Sequence, residues 1–168
     1  MKSNFTSDLR KEKQLSRLLD VYYEKSLVYY DICRVHDMKS QMAGIDLMFT
    51  HKQTKVIFNI DEKAQLDYIN EDLPTFAFEL GYYKEGWLFD QHKKTDFYSL
   101  ATAIYEDEPN IFTSCKVTLV NRKMLLAFLN KKAISKKGLT DYCDSNIKHH
   151  GKLKIKELNT KYEGYLYF

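Results

Sequence analysis

The sequence predicts a mixed α/β fold, a central mixed β-sheet flanked by α-helices. Three observations predict it. An amphipathic helical pattern opens the chain, short apolar and β-prone runs fill its middle, and two helical patterns follow the last long run. No internal repeat, low-complexity tract or Pro-, Gly- or Ser-rich linker divides the 168 residues. Residues 1–168 are therefore read as a single domain with a sizeable core.

Leu15, Leu18, Leu19 and Tyr22 recur at helical spacing within Ser7 to Ser26, with Ser7 or Asp8 as the cap. Leu27 to Val35 is β-prone and reads as a first strand; Arg34 to Gln41 is polar and reads as a loop. Met42 to Phe49 and Lys55 to Lys63 are the next strands. The short polar turn Thr50 to Thr54 makes them an antiparallel hairpin. Ala64 to Asp72 holds a helical turn. Thr75 to Leu80 and Trp87 to Phe89 read as strands around a turn at Gly81 to Gly86. Phe97 to Tyr105 is the longest strand candidate, Glu106 to Asn110 breaks it, and Ile111 to Val120 returns. Asn121 caps a helix to about Asn130, with Met124, Leu125, Phe128 and Leu129 on its apolar side. A further helix starts at Gly138 and runs to about Lys148, and Tyr162 to Phe168 reads as a last strand or an ordered extension.

Hydrophobic residues make up 44% and charged residues 29%, an ordinary globular composition. No apolar run approaches the ~20 residues that span a bilayer. Met1 to Lys13 lacks the apolar stretch of a secretory signal, so the expectation is a cytoplasmic protein with no membrane partner. Cys33, Cys115 and Cys143 are widely spaced and odd in number; they suggest buried or half-buried thiols, not a disulfide framework or a metal site. His149 and His150 are adjacent and so do not share a face, which favours a solvated loop. Charge is unevenly spread. Residues 1–120 hold 15 basic and 19 acidic side chains, whereas residues 121–168 hold 11 basic and 4 acidic. The basic tail suits a polyanion, although lysine-rich solvated faces are as common.

The chemistry concentrates in Gly44-Ile45-Asp46 and in Asp61-Glu62-Lys63, each joined to an apolar strand. Side chains alternate along a strand, so Asp61 and Lys63 share a face and Glu62 points away. If the two strands pair, Asp46 approaches Asp61. Two converging carboxylates suffer desolvation and like-charge repulsion, and a divalent cation relieves both. Mg²⁺ (or Mn²⁺) prefers one or two carboxylates with waters and substrate oxygens; Asp46 and Asp61 suit it, and the backbone carbonyl of Glu62 adds an oxygen. Lys63 is placed to orient a water or to stabilise a charged oxygen. This pattern points to phosphodiester hydrolysis.

Gly-Ile-Asp at 44–46, followed by Asp-Glu-Lys at 61–63 after an apolar run, resembles the PD-(D/E)XK nuclease superfamily, which includes restriction endonucleases and Holliday-junction resolvases. The resemblance covers about residues 10–80. It implies a restriction-endonuclease-like mixed sheet, a divalent metal, and cleavage of nucleic acid, DNA ahead of RNA. It also implies helper roles for Gln65, two residues past the lysine, and for Glu12 in the first helix, with Glu24 a substitute. Many members of the family are homodimers. The chain departs from the pattern in lacking a proline before Asp46 and in carrying aspartate at 61 where glutamate is commoner.

Each of these residues has a plainer reading. Asp-x-Lys arises by chance, and surface strands often end in charges. Glu79 reads as a strand-end charge, His36 and Asp37 as a solvated loop, and Trp87 with Tyr82-Tyr83 as packing ahead of base stacking. Lys93-Lys94 suit phosphates or solvent equally. The alternative function is an inactive module of the same fold that binds nucleic acid or a protein partner. An unrelated small-ligand domain is the third reading, favoured if Asp46 and Asp61 lie far apart.

Overall fold

The computed structural model describes residues 5–79, 86–144, 152–155 and 164–167. Helix α1 (Phe5–Ser26) carries Leu15, Leu19 and Tyr23 every fourth residue, and all three are buried. The spacing nominated Tyr22 for this face. Tyr23 takes it instead, because the step of four from Leu19 keeps its ring over the sheet.

Strands β1 (Tyr30–Arg34), β2 (Leu47–His51), β3 (Ile57–Ala64), β4 (Phe97–Glu108) and β5 (Ile111–Asn121) form one sheet in that order. The β2–β3 hairpin is antiparallel, as its short turn predicts, and so are β1–β2 and β4–β5. The β3–β4 pair is parallel, which makes the sheet mixed. A parallel pair needs a long crossover. Residues 65–96 supply it, and their regular structure among the described residues is one 3₁₀ turn, Leu66–Tyr68.

That crossover overturns two strand expectations. Residues 75–79 are irregular and Trp87 to Phe89 form a turn; Leu80 and residues 81–85 lie outside the described residues. β3 already has a neighbour on each side, so these apolar residues have no free ladder beside it. Phe76, Phe78, Trp87, Leu88 and Phe89 pack instead on Tyr98 and Leu100. The polar stretch read as a loop holds a short helix, α2 (Met38–Met42), because the Asp37 side chain accepts from the Ser40 N–H and caps it. The start of β2 accordingly falls at Leu47, not Met42.

The sheet has two covered faces. Leu47, Phe49, Ile60 and Ala101 meet α1. Tyr98 and Leu100 face α3 (Arg122–Lys131) through Leu125, Leu126 and Leu129. A bulge in β4, with Ala103 at φ +45°, shifts the register between Thr102 and Tyr105 and sends Ile104 into the α1 core. β4 runs on to Glu108, past the break expected at Glu106, and the chain turns at Pro109-Asn110. Asn121 caps α3 as expected by accepting from the Met124 N–H at 2.9 Å. Met124 and Phe128, assigned to the apolar side, are exposed. Leu125 and Leu129 do face the sheet as expected, and Leu126 joins them.

Helix α4 (Lys136–Asp144) follows, with Leu139 packed beside Ile134 and Leu129. Its expected extension to Lys148 lies outside the described residues. Strands β6 (Lys152–Ile155) and β7 (Gly164–Tyr167) form a separate antiparallel ribbon. Among the described residues no helix is long and apolar enough to cross a membrane.

Candidate functional site

The β2–β3 register brings the two acids together. Leu47 pairs with Ile60, and the next residue along each strand is an acid, Asp46 and Asp61, whose charges interact. Asp46 stands just before β2 yet is held in the ladder: its N–H donates to the Ile60 carbonyl and its own carbonyl accepts from the Val35 N–H, both at 2.8 Å. Its carboxylate accepts the Glu62 N–H at 2.8 Å. Asp46 is thus fixed by main chain on three sides.

The turn before it is shaped by Gly44, which adopts φ +75°. A Cβ there would fall 2.4 Å from Thr95 Oγ1 and 3.3 Å from Asp61 Oδ2, so only glycine leaves room. The segment before β4 clamps this turn. Lys93 Nζ donates to the Met42 carbonyl, the Lys94 N–H to Ala43 and Thr95 Oγ1 to Gly44.

Asp61 is 1% exposed. Lys63 Nζ lies 2.5 Å from its Oδ1. Its Oδ2 is buried with no hydrogen-bond partner among the described residues. A buried, unmet carboxylate oxygen is costly, and such groups concentrate where a ligand completes them. Burial pushes the Asp46 carboxyl up to about 6. The Glu62 N–H opposes that rise, while the Asp61 charge adds to it. Lys63 also stands 5.4 Å from the centre of the Trp87 ring.

Glu62 points to the opposite face, as the alternation requires, and there it anchors a network. Arg34 donates to both its carboxylate oxygens, at 3.2 and 3.3 Å, and Tyr23 Oη donates at 2.7 Å. Tyr23 Oη also meets Ser99 Oγ at 2.6 Å. Arg34 reaches Asp20 at 2.7 Å and the Ser16 carbonyl at 3.1 Å. Burial, then the Glu62 charge, holds the Tyr23 hydroxyl far above its ordinary range. Burial works against the Arg34 charge, but Glu62 and Asp20 outweigh it and raise the guanidinium.

The remaining candidates fall elsewhere. Gln65 gives its side-chain amide to the Thr75 carbonyl at 2.7 Å. Glu12 is exposed on α1, which packs on the Glu62 face, and it makes no ion pair or hydrogen bond among the described residues. Glu24, the substitute, is exposed too. Glu79 is exposed in an irregular segment, not at a strand end. Asp37 is a helix cap and His36 is exposed. Cys33 is exposed rather than buried, because it alternates with Ile32 and Arg34, which face α1. Cys115 is half-buried, and burial, with the Glu62 charge, pushes its thiol up to about 11. His149, His150, Tyr82, Tyr83 and the side chain of Cys143 lie outside the described residues.

Sequence reasoning missed Tyr23, Arg34 and Ser99. Arg34 carried a signal, since it is a charge inside a β-prone run. Ser99 carried none.

Among the described residues no group of three or more His, Cys, Asp or Glu side chains is arranged for a metal. The donor set is two carboxylates and main-chain oxygen, which matches the sparse protein ligation of Mg²⁺. The Glu62 N–H points at Asp46, and in a strand the carbonyl of the same residue is directed to the same side. The unmet Asp61 oxygen and the raised Asp46 carboxyl are what a cation would relieve. No protein-family model matches the chain, and no curated protein or solved structure does.

Proposed function

We propose that the chain is a metal-dependent nuclease that hydrolyses phosphodiester bonds of DNA, with RNA the second substrate class. We assign its mixed sheet to the restriction-endonuclease-like fold. Support comes from an aspartate at the edge of β2, an acid-x-lysine on β3, and helices on both sheet faces. The observation that carries the reading is the nearness of Asp46 to Asp61, one of whose buried oxygens has no partner among the described residues.

Asp46 and Asp61 would hold Mg²⁺ or Mn²⁺, with the Glu62 main-chain oxygen beside them. The bound ion supplies Lewis acidity and an activated water. Lys63 offers an ammonium to the charge that builds on the phosphate oxygens. The Glu62 side chain fixes the strand from behind. Gln65 is engaged with the Thr75 carbonyl and Glu12 is exposed on α1, so no role is assigned to either.

The test is cleavage of plasmid and single-stranded substrates with Mg²⁺ or Mn²⁺. Lys63→Ala is expected to slow cleavage by about 100-fold, the effect of losing one pre-organised donor. Unchanged cleavage would reject the role given to Lys63. One observation favours the alternative, a non-cleaving module that binds nucleic acid or a protein: Lys63 already neutralises half of Asp61 from within the chain. Calorimetry separates the two. Mg²⁺ binding that vanishes in Asp46→Asn supports the live site, and a native chain that binds none supports the module.

A further inference from the structure

Trp87 is the only tryptophan of the chain. Its ring is half-buried and wedged against Phe78 and Tyr98, with centroids 5.2 and 4.9 Å away. Its outer neighbour is the Lys63 ammonium. Lys63 therefore has two partners, the Asp61 carboxylate and an aromatic face, and indole is the best aromatic seat for a cation.

Asp61 holds the ammonium on Oδ1 while its Oδ2 is unmet among the described residues. An ammonium and a divalent cation on one carboxylate repel each other. The ammonium is the part that can yield, because it sits on a flexible four-carbon stem and its side chain is 31% exposed. With no second partner it would leave for water. The indole is already within reach, so a short shift keeps the charge at the site.

We infer that Trp87 is a positioning residue for Lys63: its face seats the ammonium when Asp61 serves a divalent cation. This rests on the metal-site reading above. Seated there, Lys63 remains beside the acids and free to meet a phosphate oxygen.

The test uses the full chain, Mg²⁺ calorimetry and Trp87 emission. The emission is expected to change with the same midpoint as the heat. Lys63→Met is expected to bind Mg²⁺ more tightly and to abolish the emission change. Trp87→Leu is expected to weaken Mg²⁺ binding by about three- to tenfold, and Trp87→Phe by less. In the Lys63→Met background neither Trp87 substitution is expected to matter, which a merely structural ring would not satisfy. Should Trp87→Leu fail to fold, Trp87→Phe carries the same comparison. A loss that persists in the Lys63→Met background overturns the seat, as does Mg²⁺ heat without an emission change; both leave the metal site standing. A native chain that gives no heat with Mg²⁺ overturns the metal site and the seat together.

Discussion

β3 sends Glu62 to one face of the sheet and Asp61 with Lys63 to the other, and the two faces treat their charges in opposite ways. On the α1 face both Glu62 oxygens are met, by Arg34 and by Tyr23, and Tyr23 is tied on to Ser99. On the other face one Asp61 oxygen has no partner among the described residues, and the charge of a second carboxylate, Asp46, acts on the same spot. The strand, sequence neighbourhood and backbone are shared. What differs is whether the surrounding elements complete the hydrogen bonds. A completed network supports stability and register, whereas an incomplete one holds free energy that a ligand can release.

The comparison breaks most visibly at Glu62. Glu62→Ala leaves the part-buried Arg34 and Tyr23 without their acceptor, and we expect a loss of about 3 kcal/mol in urea unfolding. Glu62→Gln, which keeps an acceptor, is expected to lose less. A loss below about 1 kcal/mol in Glu62→Ala would mean the network is a solvated surface pair after all.

Asp46→Asn is expected to act with the opposite sign. It removes one of two repelling charges and keeps an oxygen for the Glu62 N–H. Stability should rise by about 1 kcal/mol, the scale of a modest electrostatic relief, while Mg²⁺ binding is lost. A destabilised Asp46→Asn chain would show that the acids are not in conflict.

A further effect is on pH. Folding moves the Asp46 carboxyl from 3.8 up to about 6. Between these values the folded chain binds a proton that the unfolded chain has released. Its contribution to stability is therefore full below about 4 and lost as pH rises through about 6. Urea midpoints measured across that window should fall, and the fall should be absent in Asp46→Asn. Cation affinity should rise over the same window, because the proton and the cation compete for the carboxylate.

Much of the local order was legible in the residues. Period-four leucines mark α1, the polar turn marks the β2–β3 hairpin, and Asn121 marks the start of α3. Alternation also put Asp61 and Lys63 on one face and Glu62 on the other, since pleating needs no tertiary information. Thr75 to Leu80 failed for a different reason. Its composition is that of a strand, but a strand exists only where a neighbour has free hydrogen-bonding groups, and β2 and β4 already flank β3. Composition cannot report that occupancy.

The site divides along the same line. The chain alone determined which side chains could meet, because a two-residue period and a short turn leave the hairpin little choice of register. Only the tertiary structure decided what surrounds them: Arg34 and Tyr23 behind Glu62, Trp87 over Lys63, and the glycine turn clamped against Asp61. Those partners come from elements as many as 39 residues apart, and burial and unmet hydrogen bonds are properties of an assembled environment.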